Sequence, residues 1–418
     1  MNQTQTYHVK DITLADQGHK NIIWAEQQMG ALLKIKDRFT KEQPFKGLRV
    51  GIALHPTKET AVLVKTFIAG GAEVALCACN PLSTQDDVAA ALAKDGVKVF
   101  AWKGQNNEEY YANLQHVVNF KPHITIDDGC DLVTLIHQKH SELIPSIIGG
   151  CEETTTGIIR LKAMEKDGAL KYPVMAVNNL DTKHLMDNFY GTGQSAVDGV
   201  IRATNILLSG TTFVVCGYGP CGKGVASRAH GLGANIVVTE VDPFKALQAT
   251  MDGYRVMPLA DAAKIGDIFM TVTGNKHVIR LEHMKQMKDG AILANAGHFD
   301  AEIDIASLKK DSKETQIRPS MKQYELNGKK VYVLADGRLV NLGAAEGHPS
   351  TVMAMSFCGQ ALCAEHIVKH KGNLKGVIEP SKEMDRHIAQ LQLDAMNVKI
   401  DSMTEEQKKY MQSWQEGT

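Results

Sequence analysis

Apolar side chains at Ile22, Ile23, Ala25, Met29, Leu32, Leu33 and Ile35 recur at close to helical spacing through residues 18–39, until Pro44 and Gly47 interrupt them. That period predicts an amphipathic helix leading into a sheet. Short apolar runs then alternate with helical patterns: 48–54 and a helix through Ala69, 73–79 and a helix from Gln85 to Lys94, then 97–102, 123–127, 147–148 and 174–178. Strand-like runs separated by helical segments and Gly-bearing connections predict a parallel α/β sheet.

A second alternation is organised around residues 211–242. Strand-formers from Phe213 to Cys216 enter Gly217-x-Gly219-x-x-Gly222, a helix-like segment runs to about His230, and a second apolar run from Ile236 to Thr239 ends on Glu240. This is a β-α-β unit. Gly217 permits the tight turn, Gly219 lets backbone approach a pyrophosphate, and Gly222 allows close helix–strand packing, while N–H groups at the helix start face the anion. Glu240 lies 18 residues past Gly222, where a carboxylate takes ribose hydroxyls and repels a 2′-phosphate, so NAD is expected rather than NADP. A glycine-rich loop without a ligand would leave Glu240 unexplained. Further strand-like runs follow at 267–273, 291–294 and 331–335, then a buried helix over 350–368 and a charged, helix-prone tail over 382–410.

The fold class expected is α/β, with two doubly wound parallel-sheet domains and a short helical tail. A substrate domain spans 1–180 and is completed by about 350–380, a Rossmann NAD domain spans 191–346, and the tail spans 381–418. A chain of 418 residues is too long for one ordinary core. The formal net charge of -1 and the lack of any concentrated Lys/Arg stretch point to a small-molecule partner, with no nucleic acid. The eight cysteines sit mostly in apolar runs, which suits reduced, buried thiols, and Cys77-x-Cys79 has no second ligand pair nearby, so no metal site is expected. MNQTQTYHVKD carries no basic-then-apolar signal and no unbroken apolar run approaches a membrane span, so a cytoplasmic protein without a membrane partner is expected.

Ligands of open parallel sheets bind beyond the carboxyl ends of the strands, and polar clusters fall there. His55-Pro-Thr57-Lys-Glu59-Thr60 follows the first strand, where a cap-and-turn role competes with catalysis. Asp127-Asp128-Gly129 could cap the next helix or do acid–base work. Glu152-Glu153-Thr154-Thr155-Thr156 is rich in hydroxyls and suits a sugar or cofactor. Lys183 and Asp187 stand at i, i+4 before Asn188, where a plain surface ion pair is the competing reading. Gly297-His298-Phe299-Asp300, Asn341, Gly347 and His348 follow later strands.

Taken together, the motifs LHPTKETAVL (54–63), STQDD (83–87), WKG (102–104), IDDGCDL (126–132), EETTTG (152–157), TKHLMDNFYG (182–191), GYGPCGKG (217–224), TEVDP (239–243), AGHFDAEID (296–304) and ADGRLVNLGAAEGHPS (335–350) resemble the S-adenosylhomocysteine hydrolase family. The resemblance implies NAD as a bound reagent, oxidation of a nucleoside 3′-hydroxyl, 4′-proton abstraction, loss of homocysteine, water addition and return of the hydride. It implies that Lys183, its pKa lowered by burial, and Asp187 handle the 3′-hydroxyl proton. Asp128 and His55 would serve the 4′-proton and leaving-group steps, and His298 the ribose and homocysteine region. Glu153 would hold the ribose hydroxyls and Thr57 the substrate. Thr154, Thr155, Thr156 and Asn188 would hold the nicotinamide half of NAD. Gly217, Gly219, Gly222, Lys223, Gly224, Glu240, Ala296, Gly297 and His298 would also contact the cofactor, and Asn341 and His348 would line the shared pocket.

The chain departs from many members of that family at three places. Thr192 stands for a Cys, Lys245 for an Asn beside the adenosine ribose of NAD, and the end at Trp414-Gln-Glu-Gly-Thr418 lacks the Lys- and Tyr-containing tail that reaches a neighbour's NAD. The family implies a homo-oligomer, a tetramer, with the helical tail packed on a neighbour. The base is ambiguous: Glu59 matches the acceptor of the adenine 6-amino group, whereas Glu346 replaces a Met and could face the N1–H of hypoxanthine. GTGQS (191–195) and the acid before Gly-His-Pro resemble a subgroup that includes S-inosylhomocysteine hydrolases. Adenine is expected first and hypoxanthine second. A catalytically silent NAD-binding regulator and an ordinary dehydrogenase are the other readings.

Overall fold

In the computed structural model, which describes residues 6–415, the chain forms two eight-stranded sheets. The first contains β1 (His8–Val9), β2 (Arg49–Leu54), β3 (Glu73–Ala78), β4 (Lys98–Ala101), β5 (Ile124–Asp127), β6 (Gly149–Glu152), β7 (Val174–Ala176) and, from far along the chain, β16 (Val377–Ile378). Its order is β1-β4-β3-β2-β5-β6-β7-β16, and every pairing is parallel. β2 is buried from Val50 to Leu54, as a central parallel strand covered on both faces must be.

The second sheet contains β8 (Thr212–Cys216), β9 (Asn235–Thr239), β10 (Arg255–Val256), β11 (Ile268–Thr271), β12 (Ala291–Asn295), β13 (Lys313–Arg318), β14 (Met321–Leu326) and β15 (Lys329–Leu334). Its order is β10-β9-β8-β11-β12-β15-β14-β13. The first six are parallel and β13-β14-β15 close the edge as an antiparallel meander, which the apolar pattern did not predict because β13 exposes all its residues. Strand order reverses between β2 and β5 in one sheet and between β8 and β11 in the other. Loops diverge at such switch points and leave the crevice where ligands bind.

Several elements differ from the periodicity reading. The first amphipathic stretch is two helices, Ala15–Glu26 and Gly30–Glu42, broken at residues 27–29. The strand expected at 147–148 lies two residues on, at Gly149–Glu152. Glycine is needed there, since a Cβ at Gly149 would stand 2.7 Å from Ile367 and one at Gly150 would overlap Thr125. The tail comprises helices Lys382–Ala395 and Glu405–Tyr410. The first buries Ile388 in the core beside the Ser350–Lys369 helix of the same chain. Residues 1–5 and 416–418, which include the first residues of the N-terminal stretch and the last of the tail, lie outside the described residues.

The Ser350–Lys369 helix has the length and mean hydropathy (1.2) of a membrane span, yet 67% of that window is buried inside the protein. It carries Ala354, Phe357, Cys358, Ala361 and Ala364 into the core of the first sheet. All eight cysteines are free, and seven are buried.

Candidate active site

The carboxyl ends of both sheets open on one cavity of about 1320 Å³. That exceeds the roughly 300–1,000 Å³ of a single small-ligand pocket, and leaves room for a dinucleotide and a nucleoside together.

At one end stands the glycine turn. Gly217 has φ +110°, a conformation that favours glycine, and the space where a Cβ at Gly219 would stand is open. Pro220 starts the following helix. Glu240 is fixed at the lip: Oε2 accepts the Tyr218 N–H at 2.7 Å, and Oε1 accepts those of Val241 (2.7 Å) and Asp242 (3.1 Å). An open cradle, a helix N-terminus and an anchored carboxylate fit a dinucleotide. Lys245 lines the same lip, its Nζ 3.9 Å from Asp242.

Gly222, Lys223 and Gly224 lie behind the glycine turn, outside the residues that line the cavity. Gly222 abuts the Gly217 carbonyl, Gly224 abuts the Phe189 carbonyl, and a Cβ at either would overlap it. These two glycines therefore set close helix approach. Lys223 turns its Nζ to within 5.8 Å of the Tyr218 ring centre.

Asp128, after β5, meets two imidazoles. Its Oδ2 is 3.2 Å from His55 Nε2 and its Oδ1 is 3.4 Å from His298 Nδ1. His298 comes from the second sheet, so the cluster joins both halves. Burial would raise the Asp128 pKa, but His298 and His55 outweigh it and hold the carboxyl well below the usual range. His298 is pushed down by burial against the pull of Asp128. His55 Nδ1 lies 2.7 Å from Ser83 Oγ and 3.1 Å from Cys79 Sγ. The ligand atoms of His55, Asp128 and His298 lie within 4.8 Å of one another, so this trio could hold a cation, a capacity the spacing of the cysteines gave no hint of.

Lys183 is buried on a four-residue helical turn, Asp181–His184, and Asp187 opens a π-helical turn, Asp187–Gly191, a feature that often marks functional sites. Lys183 Nζ donates to Asp187 Oδ1 at 3.2 Å and to Asn188 Oδ1 at 2.9 Å, with Glu153 Oε1 at 3.7 Å. The expectation that burial lowers the Lys183 pKa is overturned. Burial does act in that direction, but Asp187, Glu153 and Asp128 outweigh it and raise the pKa, so the ammonium is held charged. Asp187 is held below the usual range, Lys183 and His348 overcoming its burial. Glu153 is pushed up to about 8 by burial, against Lys183. Ser356 Oγ donates to Asp187 Oδ2 at 2.8 Å, His348 Nδ1 lies 3.2 Å from Asp187 Oδ1, and Gln360 donates to Glu153.

Glu59, at the far end, is buried and accepts the Ser350 hydroxyl at 2.6 Å. Glu346 does not reach the cavity. Its side chain is 59% exposed and pairs with Lys58 (3.0 Å) and Arg202 (3.2 Å), and Lys58 Nζ also lies 3.5 Å from Glu59 Oε1. In this arrangement the carboxylate is turned towards those cations and lies outside the cavity-lining residues. Thr57 caps the Lys58–Ala69 helix and lines the cavity, as do Thr154, Thr155, Thr156, Asn188, Ala296, Gly297, Asn341 and His348. Asn178 Nδ2 donates to Thr155 Oγ1 at 3.0 Å, and Asn188 Nδ2 to Asn178 Oδ1 at 3.2 Å. Asn341 donates to Ser195 Oγ at 3.2 Å and keeps a buried, unpartnered Oδ1.

Sequence reasoning missed the residues behind these. Glu302 accepts from the Thr273 N–H and hydroxyl and from the Gly274 N–H, at 2.6–2.9 Å. It sits inside AGHFDAEID, four residues past His298, the last site position assigned there. Ser356 and Gln360 lie on the apolar Ser350–Lys369 helix, and their i, i+4 spacing was the available signal. Cys221, whose Sγ is 3.7 Å from Thr192 Oγ1, brings a thiol to the cavity wall although Thr192 replaces one.

Known proteins bear on this arrangement directly. The family model "S-adenosyl-L-homocysteine hydrolase" matches residues 6–144, and the model for the NAD binding domain of the same family matches 188–347. An adenosylhomocysteinase of Saccharolobus solfataricus is 57% identical over 417 residues, 99% of this chain and 100% of the relative. An S-inosyl-L-homocysteine hydrolase of Methanocaldococcus jannaschii is 58% identical over 414 residues, again 99% and 100%. An adenosylhomocysteinase of Aquifex aeolicus is 56% identical over 416 residues, with the same coverage. With its motifs gathered around one cavity and matches that run the whole length, the chain belongs to the S-adenosyl-L-homocysteine hydrolase family.

Proposed function

We propose that the chain catalyses the reversible hydrolysis of S-adenosyl-L-homocysteine to adenosine and L-homocysteine. The observation that carries this reading is one continuous cavity. It holds the dinucleotide lip, the buried Lys183–Asp187–Asn188 cluster and Asp128 between two imidazoles. NAD, when bound along that lip, supplies a reversible hydride acceptor. A C5′ thioether is a poor leaving group from a plain ribose, and a ketone at C3′ acidifies the C4′–H and permits elimination.

Lys183 and Asp187 hold and move the 3′-hydroxyl proton. The resting Lys183 is held charged by Asp187, Glu153 and Asp128, so it must give up a proton before the amine can accept one from substrate. Asp128 and His55 serve the C4′ proton and the departing thiol or entering water, and His298 closes that end against solvent. Glu153 binds ribose hydroxyls, and its raised pKa lets it donate as well as accept. Thr154–Thr156 and Asn188 orient the nicotinamide half, with Asn341 and His348 completing the wall. We treat 1–180 with about 350–380 as the substrate unit and 191–346 as the cofactor unit. Exposed Ile400, Met411 and Trp414 in the tail support a homo-oligomer, taken as a tetramer; the cytoplasm is taken as its place of work.

Glu59 in the cavity and Glu346 outside it favour adenine, whose 6-amino group donates to Glu59. The name of the Methanocaldococcus relative supports hypoxanthine as the second reading. A polar mismatch in a desolvated pocket costs about 1–3 kcal/mol. Homocysteine release from the adenosyl thioether should therefore exceed that from the inosyl thioether at least several-fold in kcat/KM. The reverse ratio would transfer the assignment to the inosyl substrate.

A further inference from the structure

We propose that Glu152, acting with Arg160, is a positioning residue that holds the Gly129 peptide where His298 can reach Asp128. This rests on the hydrolase reading above. Gly129 follows Asp128 with φ +106°, and its missing side chain is what lets His298 in: a Cβ there would stand 2.2 Å from His298 Nε2. The peptide is gripped from both sides. Glu152 Oε1 accepts the Gly129 N–H at 2.8 Å, and Arg160 Nη1 donates to the Gly129 carbonyl while bonding Asp131 at 2.7 Å. Arg160 also reaches the second sheet, its guanidinium 5.7 Å from the Phe299 ring centre, next to His298.

Glu152 does more than cap one turn. The same Oε1 accepts the Thr154 N–H at 3.1 Å, so one atom ties the Asp128–Gly129 turn to the threonine run of the cofactor wall. A Cβ at Gly157 would overlap its carboxyl, which leaves it no other rotamer room on that side. Glu152 is fully buried and its Oε2 has no partner. The titratable groups facing it are Asp127 and Asp128 at the end of β5, with Arg160 beyond Gly129. Burial, Asp127 and Asp128 raise its pKa well above the carboxylate range, so the working form is the uncharged acid. An anion there would oppose the charge on Asp128.

A neutral isostere should then serve. In the NAD-loaded full-length protein, Glu152→Gln is expected to keep kcat at pH 7 within a few-fold. Glu152→Leu and Arg160→Met, kept NAD-loaded, should lower kcat on the order of tenfold or more with KM little changed, as for misplaced acid–base groups. Wild type should lose more rate toward alkaline pH than Glu152→Gln does, since both keep Glu153. Should Glu152→Leu fail to fold, the Glu152→Gln pH profile and Arg160→Lys, expected to restore part of the Arg160→Met loss, decide the matter. Unchanged kcat in Glu152→Leu, equal losses in Glu152→Gln and Glu152→Leu, or superimposable pH profiles would overturn the positioning role. A wild-type protein that releases no thiol would instead sink the hydrolase reading itself.

Discussion

Lys183 Nζ and Asp187 Oδ1 are 3.2 Å apart, both buried, and one helical turn of sequence separates them. The pair is no surface ion bridge: Asn188, Glu153, Ser356 and His348 all converge on it. Lys183→Ala and Asp187→Ala are expected to stay folded and to lose 3′-oxidation by a factor on the order of 10²–10⁴. Single-turnover absorbance of NADH checks this, and normal oxidation in both variants would remove the pair from the chemistry.

Glu240 is anchored by three backbone N–H groups at the cavity lip. NAD should co-purify with the wild type, and Glu240→Ala should lose it, because the ribose hydroxyls lose their acceptor and the Tyr218 and Val241 amides lose theirs. Titration with NAD and NADP is the measurement. Equal wild-type affinity for both would show that Glu240 does not select the cofactor.

Base choice separates two glutamates. Glu346→Met should leave the ratio of adenosyl to inosyl turnover unchanged, since Glu346 is spent on Lys58 and Arg202. Glu59→Gln should move that ratio several-fold, because an amide can both donate and accept at the base edge. A ratio that follows Glu346 and ignores Glu59 would reverse the assignment.

Stability without cofactor should fall as pH rises from about 6.5 to 8.5. Asp127 is pushed up to about 7 and Glu153 to about 8, both above the unfolded range of about 4. The folded state binds more protons than the unfolded state in that interval, so their stabilising contribution is lost as pH climbs through the folded values. Buried His298, with its lowered pKa, acts oppositely but below that window. Thermal midpoints of NAD-free protein should decline across it, and Glu153→Gln should flatten the decline; a rising wild-type midpoint would contradict the buried-acid account.

Much of this was written in the chain. Central strands such as β2 and β8 announce themselves by apolar runs, and the site residues cluster after them because parallel sheets leave their loops there. Other features depend on partners that no local pattern names. Burial alone would have freed the Lys183 amine, and only the arrival of Asp187, Glu153 and Asp128 reverses the sign. Glu346 turns outward because Lys58 and Arg202, distant in sequence, meet it there. Gly149 and Gly150 form a strand through tight packing on Ile367 and Thr125, which hydrophobicity cannot register. Gly224 also serves helix approach at Phe189, a role that its place in a cofactor motif does not announce.

On the hydrolase reading the cofactor is borrowed, not consumed. Purified protein carrying only its co-purified NAD should be mixed with excess S-adenosyl-L-homocysteine, and free thiol, adenosine and NADH followed together. Many equivalents of thiol and adenosine per protein, with NADH never exceeding the bound cofactor, is the result the account predicts. Thiol release that stops at one equivalent while NADH persists, or no thiol from a protein that does hold NAD, would contradict it.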